Sequence, residues 1–147
     1  MNATIRSAGS ADRGRVCDLL TGAGLPLDGI SEKLEHFLVA EADGRIVAAA
    51  GLEQYDDSVL LRSVVVDAPH RGAGIGAMLS DAALAMARDL GARNAYLLTD
   101  TAEDFFRRRG FEVIDRREVP QGIRTSVEYA VACPESAIVM RRPVPQP

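Results

Sequence analysis

Residues 59–66, Val59-Leu60-Leu61-Arg62-Ser63-Val64-Val65-Val66, are apolar on both alternating parities except at Arg62 and Ser63, and a glycine-rich turn with a helical pattern follows directly. A strand apolar on both faces belongs inside a sheet that is covered on both sides. From Gly74 the hydrophobic period changes from two to 3.6, with Ile75, Met78, Leu79, Ala82, Met86 and Leu90 on one stripe and Gly91 placed for a helix exit. Residues 95–99 then read as a second strand. Strand, loop, helix and strand make a βαβ crossover, and the fold class is α/β.

The flanking segments fill out the same plan. Residues 11–20 read as a short helix with Val16, Leu19 and Leu20 on one stripe, and residues 31–36 as a second brief helix. Residues 37–41 and 45–50 form a hairpin about Asp43-Gly44, a pair suited to a turn in which both central residues have positive φ. Thr101-Ala102-Glu103-Asp104 has capping-box spacing and starts a helix that Gly110 ends. Residues 111–117 are expected as a strand, 120–129 as helix and 136–141 as the closing strand.

A chain of 147 residues suits one domain, residues 1–147, and its 47% hydrophobic and 26% charged content excludes a disordered or collagen-like polymer. The net charge of −4 argues against nucleic acid, which would demand a surplus of cations. No export signal or membrane span is read. Cys17 and Cys133 lack C-x-x-C spacing and are read as small packed residues in a reducing, cytoplasmic protein, with no metal site. His36 and His70 read as a packed strand residue and a loop residue.

Chemistry concentrates in Arg71-Gly72-Ala73-Gly74-Ile75-Gly76. Three glycines in five positions let backbone N–H groups approach a ligand, and the helix N-terminus adds the positive end of its dipole, an arrangement that binds phosphates. The dinucleotide fingerprint G-x-G-x-x-G is not met, because the third glycine comes one residue early, and a Walker A loop fails for want of lysine.

The same six residues resemble the R/Q-x-x-G-x-G/A acetyl-CoA signature of the GCN5-related N-acetyltransferases, the GNAT family, and the order of elements resembles it over nearly the whole chain. Leu97-Leu98-Thr99, Ala102, Phe105-Phe106 and Gly110-Phe111 look like the branch that holds amino-acid acetyltransferases such as N-acetylglutamate synthase. Val119-Pro120 and Cys133-Pro134-Glu135-Ser136-Ala137 resemble small acetyltransferases of arsenic-resistance operons.

The resemblance implies a mixed, mostly antiparallel sheet with helices on both faces, splayed between the strand ending at Val66 and the strand ending at Thr99. It implies acetyl-CoA as co-substrate in that splay, held by Val64, Val65, Val66, Thr99 and residues 71–76, with backbone N–H groups near Val64 on the thioester carbonyl and Phe106 beside the thiol. The family usually carries tyrosine, an acid for the leaving thiolate, where this chain has Phe106. The acceptor is then the amine of a small amino-acid-like molecule, with phosphorus- or arsenic-containing analogues included.

Glu53 is the first choice for the group that takes the amine's proton. Arg62, a cation in an apolar strand, needs a carboxylate, supplied either by the acceptor or by the chain itself through Glu53 or Asp100. The acceptor role is the one expected. The run Arg107-Arg108-Arg109 with Arg116 and Arg117 reads as solvated rather than as a site for the 3′-phosphate. Tyr55, Arg124 and Tyr129 fall in segments suited to an acceptor wall. Two rival readings are a silent acyl-CoA-binding module and an acetyltransferase of a protein amine; a homodimer is compatible with all three.

Overall fold

The computed structural model describes residues 3–126 and 137–146. Seven strands form one sheet: β1 (Thr4–Ser7), β2 (Phe37–Ala42), β3 (Arg45–Tyr55), β4 (Ser58–Val66), β5 (Asn94–Thr99), β6 (Glu112–Ile114) and β7 (Ile138–Pro143). Their order is β1-β2-β3-β4-β5-β7-β6, and every neighbouring pair is antiparallel except β4 with β5. The run of residues 59–66 lies at the sheet's centre, as its apolar character on both parities requires.

Among the described residues, four helices cover the sheet: α1 (Arg13–Gly22), α2 (Ile75–Asp89), α3 (Glu103–Arg108) and α4 (Gln121–Arg124). On one face, α2 and Phe106 pack against Leu38, Ala40, Ala48, Ala50, Val59 and Leu61. On the opposite face, Val16, Leu19 and Leu20 of α1 pack against Phe37, Val39 and Val65. Ile123 of α4 extends this second layer over Leu60, Tyr96 and Val139. The alternation of these residues along β2 and β5 is the period-two pattern of a sheet buried on both sides.

Several local expectations are corrected. Residues 31–36 form turns rather than a helix, with Leu34 and His36 at φ of 52° and 58°; Leu34 is buried as a single anchor, so no helical face develops. Thr4–Ser7 is an additional edge strand, mostly exposed and held by pairing with β2 rather than by its own pattern. The capping box at 101–104 does not form. Ala102 occupies the N-cap of α3, and the Thr99 hydroxyl accepts its N–H at 3.0 Å. The stripe on α2 is also displaced: Ile75, Leu79, Ser80, Ala83, Leu84 and Ala87 are buried, whereas Met78 is 45% exposed. Small residues let the helix lie close to the sheet, so they face inward despite their lower hydrophobicity.

The segments near the C-terminus are shorter than expected. The strand at 111–117 is limited to β6, after which Asp115 caps a single 3-10 turn, Arg116–Glu118. α4 spans four residues and ends before Thr125 and Ser126, which were expected to continue it; residues 127–129, Tyr129 included, along with Cys133, lie outside the described residues. Among the described residues, no helix is long and apolar enough to cross a membrane.

Candidate active site

β4 pairs with β5 only from Ser58↔Asn94 to Leu60↔Tyr96. Beyond that point β4 continues along β3 to Val66, and β5 along β7 to Thr99. The two strands therefore part, and a cleft of about 1120 Å³ opens between them. It is lined by Arg62, Val64, Val65 and Val66 of β4, by Leu97, Leu98 and Thr99 of β5, by the turn into α2, and by Phe105 and Phe106 of α3. Of the residues singled out in the sequence for catalysis or cofactor binding, only Glu53 and Ala73 stand outside this lining.

A bulge shapes the β4 wall. Ala49 faces Val65 but Gly51 faces Arg62, so β4 contains one residue more than β3, and Ser63 adopts φ of 59°. Ser63 and Val64 fall outside the β3 register. The extra residue shifts the pleat: Leu61 and Val64 face the α2 side, and Val65 faces the α1 side. Strict alternation could not reveal this, because the apolar run reads alike in either register.

At the other end of the cleft the glycine turn adopts the conformation its composition favours. Gly72 and Gly74 have φ of 84° and 82°, and a Cβ built on either meets nothing within 4 Å. The backbone there is left-handed and open on the ligand side, a conformation that costs an L-residue about 1–2 kcal/mol. Gly74 is the N-cap of α2, with no side chain capping the helix's first N–H groups. Arg71 Nε donates to the Val66 carbonyl at 3.0 Å, which ties the turn to the end of β4. Exposed N–H groups and the positive end of a 15-residue helix form a cradle that suits an anion such as a phosphate. Phe106 is buried edge-on to both Phe105 and Phe111, with ring centroids at 5.0 and 5.6 Å.

Of the two partners open to Arg62, the structure supplies the chain's own carboxylate. Arg62 Nη1 donates to Glu53 Oε2 at 2.7 Å and to the Asp28 carbonyl at 2.8 Å, and Nε donates to Ser63 Oγ at 2.9 Å. The Tyr55 hydroxyl donates to the other Glu53 oxygen at 2.6 Å. Burial foremost, then this bond, pushes the Tyr55 phenol up to about 12. Nothing in the sequence marked the carbonyls of the loop at 23–36; a buried arginine's need for several acceptors was the available signal.

The remaining candidates lie elsewhere. His36 sits in the turn before β2, not on a strand, and Cys17 is a half-buried free thiol on α1. Arg107, Arg109 and Arg117 pair with Glu103, Asp81 and Asp115. No cluster of potential metal ligands occurs among the described residues.

A strand pair that parts over a glycine cradle at a helix N-terminus is what the sequence resemblance implied, and residues 33–113 match the family described as Acetyltransferase (GNAT) domain. The chain belongs to the GNAT acetyltransferase family. It is an N-acetyltransferase with acetyl-CoA as co-substrate.

A curated relative, an uncharacterized N-acetyltransferase of Chlorobaculum tepidum, is 29% identical and covers 92% of this chain and 94% of its own. The amino-acid acetyltransferase of Azotobacter vinelandii is 33% identical over 68% of this chain, which spans only 24% of that longer protein. Among solved structures, N-acetylglutamate synthase from Neisseria gonorrhoeae, complexed with coenzyme A and N-acetyl-glutamate, superposes with a TM-score of 0.83 at 23% identity. The match covers 99% of this chain and 36% of that one. Rv2747 from Mycobacterium tuberculosis, in complex with CoA, matches at TM-score 0.83 and 23% identity over 97% of this chain and 99% of that one.

Proposed function

We propose that this GNAT enzyme acetylates the amine of a small amino-acid-like acceptor by direct attack in a ternary complex, with phosphorus- and arsenic-containing amino-acid analogues within its range. The observation that carries this reading is the continuity of the cleft. One space runs from Gly72 and Gly74 to Arg62 and the loop residues Pro26 and Asp28, so both substrates fit end to end. The relatives named for amino-acid acetylation support the acceptor class.

In this reading the cradle at 71–76 holds the diphosphate, and the edges of β4 and β5 hold the pantetheine amides. Backbone N–H groups near Val64, beside the bulge, polarise the thioester carbonyl. Arg62 holds Glu53 and the loop carbonyls at the end of the cleft that receives the acceptor's carboxylate. The amine nitrogen bonds to the carbonyl carbon as the C–S bond breaks, and the nitrogen's proton passes through a water to Glu53. Both Glu53 oxygens already accept a hydrogen bond, but each keeps a second lone pair for that water. Phe106 has no proton to give, so the thiolate departs as such or takes a proton from water; a thiol of pKa near 8.5 permits this. A cytoplasmic location belongs to the same reading.

The test is release of CoA thiol with a panel of amino acids, their phosphorus and arsenic analogues, and peptides. Turnover of a small zwitterion with no turnover of peptides is expected. Turnover of peptides alone would move the acceptor to a protein amine. Tight acetyl-CoA binding with no thiol release from any acceptor would indicate a silent binding module.

A further inference from the structure

Glu53 joins segments that are far apart in sequence. Its Oε1 accepts from Tyr55 at 2.6 Å and its Oε2 from Arg62 at 2.7 Å. The Arg62 guanidinium also holds the Asp28 carbonyl at 2.8 Å and reaches the Pro26 carbonyl at 3.4 Å. The Tyr55 hydroxyl in turn hydrogen-bonds the Ser126 side chain, just past the end of α4. α4 rests on the same tyrosine: a Cβ on Gly122 would stand 3.3 Å from Tyr55 Cβ. One phenol and one guanidinium, bridged by one carboxylate, thus connect β3, β4, the loop at 23–36 and the end of α4.

Only part of this network faces the cleft. Arg62, Pro26 and Asp28 line it, whereas Glu53 and Tyr55 are outside its lining. The loop at 23–36 is built of turns and anchored to the core at Ile30 and Leu34; Arg62 links its Pro26–Asp28 stretch to β4, and the reach of Arg62 depends on where Glu53 is held. The phenol remains a donor well above neutral pH, because burial and Glu53 keep it protonated.

We propose that Tyr55 is a positioning residue for the acceptor: by fixing Glu53 it fixes Arg62, and through Arg62 the wall formed by Pro26 and Asp28. This rests on the reading that the acceptor occupies the Arg62 end of the cleft. Tyr55 touches neither substrate, so its effect is on acceptor affinity and not on the cofactor cradle at the far end.

The experiment compares Tyr55→Phe, which keeps the ring and removes the hydroxyl, with the unaltered protein in two measurements. In hydrogen–deuterium exchange, amides at 23–28 are expected to exchange at least fivefold faster, with those of α2 unchanged. In steady-state kinetics with the amino acid of the panel that is acetylated fastest, the acceptor KM is expected to rise at least fivefold, with the acetyl-CoA KM within twofold. Unchanged exchange at 23–28 would overturn the proposal, and so would acceptor and acetyl-CoA KM values rising in step, the mark of general loosening. Ser126→Ala, which removes the phenol's second partner, carries the same test with a smaller shift should Tyr55→Phe fail to fold. If the unaltered enzyme acetylates no amino acid, the acceptor reading fails, while the exchange experiment still decides whether Tyr55 holds the wall.

Discussion

Arg62 Nη1 and Glu53 Oε2 stand 2.7 Å apart across neighbouring strands, with the arginine side chain 1% exposed and the glutamate 19%. The two are diagonal partners, since Arg62 faces Gly51 in the β3–β4 register and Glu53 faces Leu60. Diagonal positions lie about 7–8 Å apart, a span that two long side chains bridge. The guanidinium therefore enters the sheet already neutralised by a neighbour and by backbone carbonyls. This is the condition under which a buried cation is tolerated.

Arg62→Met leaves Glu53 and two loop carbonyls without their donor. The expected cost is about 3 kcal/mol, the lower end for breaking a buried pair, because Glu53 keeps some access to water. For a chain of this length that corresponds to a fall in melting temperature of roughly 6–12 °C. A Glu53→Met, Arg62→Met double variant is expected to recover part of the loss. Thermal unfolding of the three proteins measures the coupling, and additive losses would show that the pair does not act as a unit.

Gly74→Glu places a carboxylate and a side chain where the cradle is open, at a φ of 82°. Acetyl-CoA affinity is expected to fall roughly 100-fold, about 2.8 kcal/mol, by calorimetric titration. Left-handed strain adds about 1–2 kcal/mol of destabilisation, so the variant should remain folded. Gly74→Asn is the control, because asparagine tolerates that backbone region. It is expected to lose less affinity than the glutamate variant, and equal losses would place the diphosphate elsewhere.

Phe106→Tyr restores the hydroxyl usual in the family at a position that lines the cleft. The unaltered enzyme is expected to show no fall in rate that follows a phenol ionising near 10, since Phe106 has none and Tyr55 is pushed up to about 12. The tyrosine variant should be neutral or up to about threefold faster, with a new decline in rate as pH rises through its own pKa. Phe106→Ala is a poor probe, because loss of a ring packed on Phe105 and Phe111 costs about 3–5 kcal/mol by itself. A tyrosine variant with an unchanged pH–rate profile would place position 106 away from the leaving thiol.

Asp12 accepts two bonds from Arg6, each at 2.9 Å, and the Gly9 N–H at 2.8 Å, which lowers its carboxyl from 3.8 to about 2. A depressed folded-state value means that the stabilisation is fully present above pH 3.8 and is lost as pH falls through about 2. Asp12→Asn is therefore expected to be the less stable protein near neutral pH, and the difference should close between those two values. Urea midpoints measured as a function of pH test this. A gap that persists unchanged at the acid end would assign the effect to packing instead of charge.

The sequence alone determined the elements whose pattern repeats along the chain. The central strand was legible because six of eight successive positions are apolar, on both parities, and α2 because its apolar period changes to 3.6 behind three glycines. The glycine turn also announced its ligand class, since Gly72 and Gly74 occupy backbone states that few other residues adopt. Tertiary structure alone decided what depends on a partner from another segment. Thr4–Ser7 is a strand because β2 lies beside it, and residues 31–36 are not a helix because Leu34 is their one buried apolar residue. The bulge at Ser63 sets which valines face α2 and which face α1, yet the apolar residues on either side of it carry no record of register. The same holds for the Arg62 end of the cleft. Arg62 advertised its need for a carboxylate, but only the β3–β4 register and the path of the loop at 23–36 put Glu53, Tyr55 and Asp28 within its reach, because hydrogen bonds between distant segments leave no periodic trace in the sequence.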